Sequence, residues 1–96
     1  HIFVIEDKGK IIASGTLLIE PKFIHRISNV GHIEDVVISK EYRGKKIGKM
    51  LVQHLIDTAK TYDCYKVILN CNTKVQGFYE SIGFVNHSFG MRIDCK

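Results

Sequence analysis

The sequence predicts an α/β (α+β) domain built on one mixed sheet, with elements in the order β-β-β-α-β-α-β. Three observations predict it. Two runs rich in Ile, Val and Thr flank a glycine-containing turn, the apolar period changes from two to 3.6 at Lys46, and a second β-branched run follows that helical stretch. A tight turn pairs its strands antiparallel, whereas a strand-helix-strand crossover pairs them parallel, so both kinds of pairing share the sheet.

Ile2 to Glu6 and Ile11 to Ile19 read as the two arms of a hairpin around Asp7-Lys8-Gly9-Lys10. Pro21, which has no N–H to donate, is expected to stop the second strand, and the polar stretch at Ser28-Asn29 to lead into a third strand from about His32 to Ser39. From Lys46, residues Ile47, Met50, Leu51, Leu55, Thr58, Ala59 and Tyr62 recur at helical spacing, with Lys49, Gln53, Asp57 and Lys60 opposite. This spacing predicts an amphipathic helix of about four turns. Tyr65 to Cys71 is apolar enough for a strand buried on both faces, expected to be central and parallel. Asn72 or Thr73 can cap a second helix carrying Val75, Phe78, Tyr79 and Ile82 on one stripe, ended by Gly83. Phe84 to Ile93 reads as a last strand.

Ninety-six residues fit a single domain, 1–96, with one core. A 45% hydrophobic and 25% charged composition rules against disorder, and no apolar run approaches the roughly 20 residues that cross a bilayer. No membrane partner is expected. His1 opens inside a strand with no charged leader before it, so the chain reads as a fragment whose natural start is missing. Cys64, Cys71 and Cys95 form no CxxC pair and cannot all pair internally, which points to free thiols and a cytoplasmic setting. The five histidines show no HxxxH or HExxH spacing, and His32 with Glu34 supplies at most two ligands on one strand face, so no metal is expected.

The net charge of +4 has one location. Lys40, Arg43, Lys45, Lys46 and Lys49 stand against Glu41 alone, and the nine other basic residues balance nine acidic ones. A nucleic-acid binder spreads its cations over a face, whereas a single dense segment suits a compact polyanion; the plain alternative is a solvated lysine-rich loop. The segment Tyr42 to Lys49 also lies where a strand gives way to a helix. First-turn N–H groups there lack intrahelical acceptors and the helix dipole is positive, which favours a pyrophosphate. Gly44 and Gly48 are expected to let a ligand approach the backbone. Gly44 to Gly48 is one residue short of a Walker loop, Met50 replaces its Ser or Thr, and GxGxxG is absent.

Arg43-Gly44-Lys45-Lys46-Ile47-Gly48 resembles the Gln/Arg-x-x-Gly-x-Gly/Ala pyrophosphate loop of the GNAT superfamily of N-acetyltransferases. Lys46 stands where glycine is commonest, an exchange tolerated if the side chain points to solvent and the backbone stays helical. The resemblance extends through Gly31-His32-Ile33-Glu34-Asp35-Val36-Val37, Cys64-Tyr65-Lys66-Val67-Ile68-Leu69 and Gly77-Phe78-Tyr79-Glu80-Ser81-Ile82-Gly83-Phe84, from about Gly15 to Phe84. It implies the GNAT fold without the N-terminal strand and helices that usually precede this hairpin. It implies a bulge in the third strand that opens a slot for the pantetheine arm. It also implies transfer of acetyl from acetyl-CoA to the 2-amino group of glucosamine 6-phosphate by direct attack, a step toward UDP-N-acetylglucosamine. An enzyme for another amine, or a non-catalytic acyl-CoA-binding module, stays open beside that reading.

Direct transfer needs a deprotonated amine, a polarised carbonyl and a proton for the departing thiolate. Glu34 and Asp35 are adjacent carboxylates in an apolar strand and should face opposite ways unless a bulge re-aims them. The resemblance gives them the acceptor amine and its proton, by a water relay or by desolvation, since an ordinary carboxylate is a weak base. Their plain alternative is two solvated charges. The resemblance gives Tyr79 the proton returned to the thiolate, where a structural aromatic is the alternative. It runs the coenzyme along Val36, Val37 and Ile38, across Arg43, Gly44, Lys45, Lys46, Ile47, Gly48 and Lys49, and past Asn70, Phe78 and Tyr79. Val75 stands where related sequences often carry an Asn that touches the cofactor. For the sugar phosphate it offers Lys22, His25, Lys66 and Asn70, with Lys66 able to serve a neighbouring subunit of a homodimer.

Overall fold

A computed structural model describes residues 1–22, 28–44, 46–86 and 91–95. Its elements are β1 (Ile2–Asp7), β2 (Lys10–Lys22), β3 (Ser28–Ile38), a 3-10 turn (Lys40–Tyr42), α1 (Ile47–Thr61), β4 (Cys64–Ile68) and α2 (Thr73–Ile82). They form one sheet in the order β1-β2-β3-β4. β1 and β2 pair antiparallel through a two-residue turn in which Lys8 and Gly9 both take positive φ, 52° and 78°. That backbone matches the twist of the two strands. β2 and β3 are also antiparallel, and β4 joins β3 in parallel after the α1 crossover.

Leu51, Val52, Leu55 and Ala59 form the buried stripe of α1, which lies across the sheet against Leu17 of β2 and Ile33 of β3. Leu17 and Ile33 are paired neighbours in the ladder. The next pair, Leu18 and His32, therefore projects from the opposite face, because side chains alternate along a strand. No described helix is long and apolar enough to cross a membrane.

Four expectations change. β2 does not stop at Pro21 but runs to Lys22, with Pro21 opposite Asn29. The β1 ladder ends at the Ile2–Thr16 pair, so β2 is an edge there and a residue without N–H costs no ladder bond. Ser28 and Asn29 belong to β3 and not to a turn, because they pair with Lys22 and Pro21 of the lengthened β2. The strand expected at Tyr65 to Cys71 spans Cys64–Ile68 and is parallel to β3; among the described residues it is the last strand of the sheet and not a central one, and Tyr65 and Lys66 are exposed. Phe84 to Ile93 contributes no strand among its described residues, and 87–90 lie outside them.

Candidate active site

The site begins with an irregularity in β3. Thr16 pairs with Glu34 and Ser14 with Val37, so β3 uses one residue more than β2 over that step, and Asp35 takes a left-handed φ of 53°. This is a β-bulge, and it lies at the expected acidic pair. Pairing between β3 and β4 ends at His32 and Ile68, three residues before the bulge. Beyond it the strands part around a cavity of about 290 Å³ lined by His32, Ile33, Glu34, Asp35, Ile68, Leu69 and Asn70. The bulge thus brings Glu34 and Asp35 to one cavity, although strict alternation would have separated them. Both carboxylates are exposed.

A second hollow, about 830 Å³, runs along the outer edge of β4 and α2. It is the larger, but it contains neither carboxylate. Tyr79 lines it, and Ile68, Leu69 and Asn70 line both. The end of β4 therefore lies between the hollow that holds Tyr79 and the cavity that holds the acidic pair. Tyr79 packs edge-on against Phe78 and Phe84, with centroids 5.0 and 5.8 Å away. Burial, and then neighbouring Cys71, pushes its phenol above the ordinary value, which keeps the proton in place at neutral pH. Asn72 caps α2 by accepting from the Lys74 N–H at 3.0 Å, which fixes the helix that carries Tyr79.

The loop before α1 is anchored from three sides. Tyr42 Oη donates to Asp7 Oδ2 at 2.6 Å, Ser39 N–H donates to the Ile12 carbonyl at 2.7 Å, and Arg43 Nε donates to the Ile38 carbonyl at 3.4 Å. The hairpin turn thereby holds the segment leading to the helix, a contact 35 residues apart in sequence that no local pattern announces. No side chain caps α1, so its first-turn amides remain available to an anion. Gly44 has φ +82° and nothing within 4 Å of where a Cβ would stand, as an open approach requires. Gly48 differs. A Cβ there would lie 3.2 Å from Phe78 Cζ, so this glycine admits the α2 ring against the first turn of α1. Lys46 is exposed as expected, but its backbone is left-handed at φ 63° and not helical. That explains why glycine suits the position, since an L residue there costs roughly 1 kcal/mol or more.

The other expected positions are scattered. Val36 packs against the core, Val37 is exposed, and Ile38 lies beside Gly48. Ile47 and Lys49 belong to the first turn of α1. Val75 is exposed on α2. Lys66 borders the larger hollow, 5.6 Å from the Tyr65 ring centroid. Lys22 lies far along β2 and pairs with Glu20 at 3.1 Å. His25 and Lys45 lie outside the described residues. Sequence reasoning missed the Glu20–His32 pair, in which Nε2 and Oε1 are 2.7 Å apart, because it depends on the β2–β3 register. Among the described residues no cluster of three or more His, Cys, Asp or Glu could hold a metal ion.

A parallel strand pair that parts at a bulge, beside an uncapped helix entered through a glycine turn, defines an acyl-CoA acetyltransferase scaffold. The chain belongs to the acetyltransferase (GNAT) family, which it matches over residues 1–84. It is 47% identical over 92 residues to glucosamine 6-phosphate N-acetyltransferase of Arabidopsis thaliana, covering 94% of this chain and 62% of that protein. It is 43% identical over 93 residues to the enzyme of the same name from Trypanosoma brucei brucei, covering 97% and 63%. The crystal structure of the Arabidopsis enzyme superposes with a TM-score of 0.94 at 44% identity, over 99% of this chain and 66% of that one. The chain thus spans just under two thirds of these relatives.

Proposed function

We propose that this chain is the catalytic core of an enzyme that moves acetyl from acetyl-CoA to the 2-amino group of glucosamine 6-phosphate by direct attack. The observation that carries the reading is the parting of β3 and β4 at the bulge, which gives Glu34, Asp35 and Asn70 one cavity. Its likeness to relatives bearing that enzyme name selects the acceptor.

In this reading the α1 amides, Gly44 and the cations Arg43, Lys45, Lys46 and Lys49 hold the coenzyme diphosphate. The pantetheine runs along Val36 to Ile38, where the bulge leaves strand backbone unpaired by β4. Glu34 and Asp35 bind the acceptor ammonium and orient its nitrogen toward the thioester carbon. The C–N bond forms as the C–S bond breaks, and Tyr79, whose phenol is protonated at neutral pH, donates its proton to the thiolate. Lys22, His25 and Lys66 serve the sugar phosphate. The reading includes a cytoplasmic homodimer feeding UDP-N-acetylglucosamine synthesis, with no metal and no nucleic-acid or membrane partner.

Mixing acetyl-CoA and glucosamine 6-phosphate with a thiol-reactive dye tests the reaction. Coenzyme A release above background is expected, and a lysine peptide or polyamine should not compete. No release, or preference for another amine, overturns the assignment.

A further inference from the structure

The amine must lose protons during transfer, yet the two carboxylates at the slot are exposed to water. A third group reaches the same cavity. His32 lines it beside Glu34, on the sheet face opposite α1, and its Nε2 lies 2.7 Å from Glu20 Oε1. We infer that His32 accepts the proton of the acceptor amine and that Glu20 positions its imidazole, an inference that rests on the reaction proposed above.

An ionised carboxylate can only accept hydrogen bonds, so Nε2 carries the hydrogen whenever Glu20 is charged. In the neutral ring this leaves Nδ1 with its lone pair, the form a base requires. Glu20 is held ionised by the imidazole hydrogen bond and by the Lys22 ammonium 3.1 Å from its other oxygen, which lower its pKa. A carboxylate that fixes tautomer and orientation is how an imidazole is made an effective base. The charged groups around His32 are Glu20 and Lys22 from β2, Glu34 and Asp35 from β3, and Lys66 from β4, paired with Val30 two residues away.

The proton account closes. An acceptor ammonium has three protons: one passes to His32 Nδ1 and then to water, one remains on the amide, and one passes from nitrogen to solvent water as the C–N bond forms. Tyr79 gives its own proton to the thiolate and regains an equivalent one from solvent, so the net products are amide, free thiol and one proton.

The test is the pH profile of kcat in the protein at its full natural length, for the wild type, His32→Gln and Glu20→Gln, with coenzyme A affinity measured by calorimetry. Loss of a general base costs about 100-fold or more. H32Q should therefore lower kcat about 100-fold and remove the acidic limb near neutrality, while coenzyme A affinity stays within threefold. Glu20 is partly exposed and its replacement preserves shape. E20Q should move the limb to lower pH, because the imidazolium loses its carboxylate partner. An H32Q enzyme that keeps limb and rate, or an E20Q enzyme whose limb does not move, overturns the relay alone. E20Q decides the matter if H32Q does not fold. A wild type that binds coenzyme A but acetylates no amino sugar phosphate overturns the proposed reaction, and the relay with it.

Discussion

The half of the molecule built from β1, β2, β3 and α1 and the half built from β4 and α2 are held together differently. In the first, Leu17, Leu51, Val52 and Leu55 are 2% exposed or less, and α1 closes over the paired strands. In the second, among the described residues, neither β4 nor α2 buries a single side chain, and Phe78 and Val75 of α2 are exposed. The bulge, the anchored loop and the amides of α1 belong to the well-packed half; Tyr79 belongs to the other. In the proposed reaction, gripping a diphosphate demands fixed donors, whereas a proton donor can tolerate a softer mount; the first turn of α1 meets α2 where Gly48 faces Phe78.

Breaking the packed half should have the largest effect. Leu55→Ala removes a fully buried side chain and should lower unfolding free energy by about 3 kcal/mol in urea titration, against about 1 kcal/mol for half-buried Ile82→Ala. Equal losses would show that the halves are not distinct. Tyr79→Phe should leave stability nearly unchanged but lower kcat about 100-fold, or about 2.7 kcal/mol of barrier, with coenzyme A affinity within twofold. A normal rate would remove Tyr79 from the chemistry.

Alkaline pH sharpens the contrast without changing a side chain. The folded phenol of Tyr79 titrates above its unfolded value of about 10, so the folded state holds more protons between those two values and stability falls as pH rises through them. Tyr79→Phe should reduce that decline, leaving the part due to Tyr42, raised by its bond to Asp7, and to Cys64, raised by burial. Identical alkaline curves would refute the burial of Tyr79. The smallest effect belongs to Lys46→Gly, which relieves a left-handed residue but loosens the unfolded chain. A net gain of about 0.5 kcal/mol in melting experiments is expected. A loss would show that the Lys46 side chain stabilises the turn.

Much of this was legible locally. The hairpin follows from Asp7-Lys8-Gly9-Lys10, α1 from its apolar stripe, and the α2 cap from Asn72, because each depends on neighbours within one turn. The adjacent carboxylates and the cationic loop also stood out, since charges in an apolar strand and a dense basic segment are visible in one dimension. The position of β4 at the end of the sheet, among the described residues, was not. An apolar five-residue strand reads the same at the centre of a sheet or at its rim, and only the ladder assigns it.

The sequence by itself determined the hairpin, both helices and the core of each of the four strands, and it marked the acidic pair and the basic segment, because periodicity, turn chemistry and charge act over a few residues; the bulge was expected from the family resemblance. Tertiary structure alone decided that Glu20 meets His32, that Asp7 holds Tyr42 and that Gly48 makes room for Phe78. Those contacts depend on strand register and helix docking, which join residues with no local relation to one another.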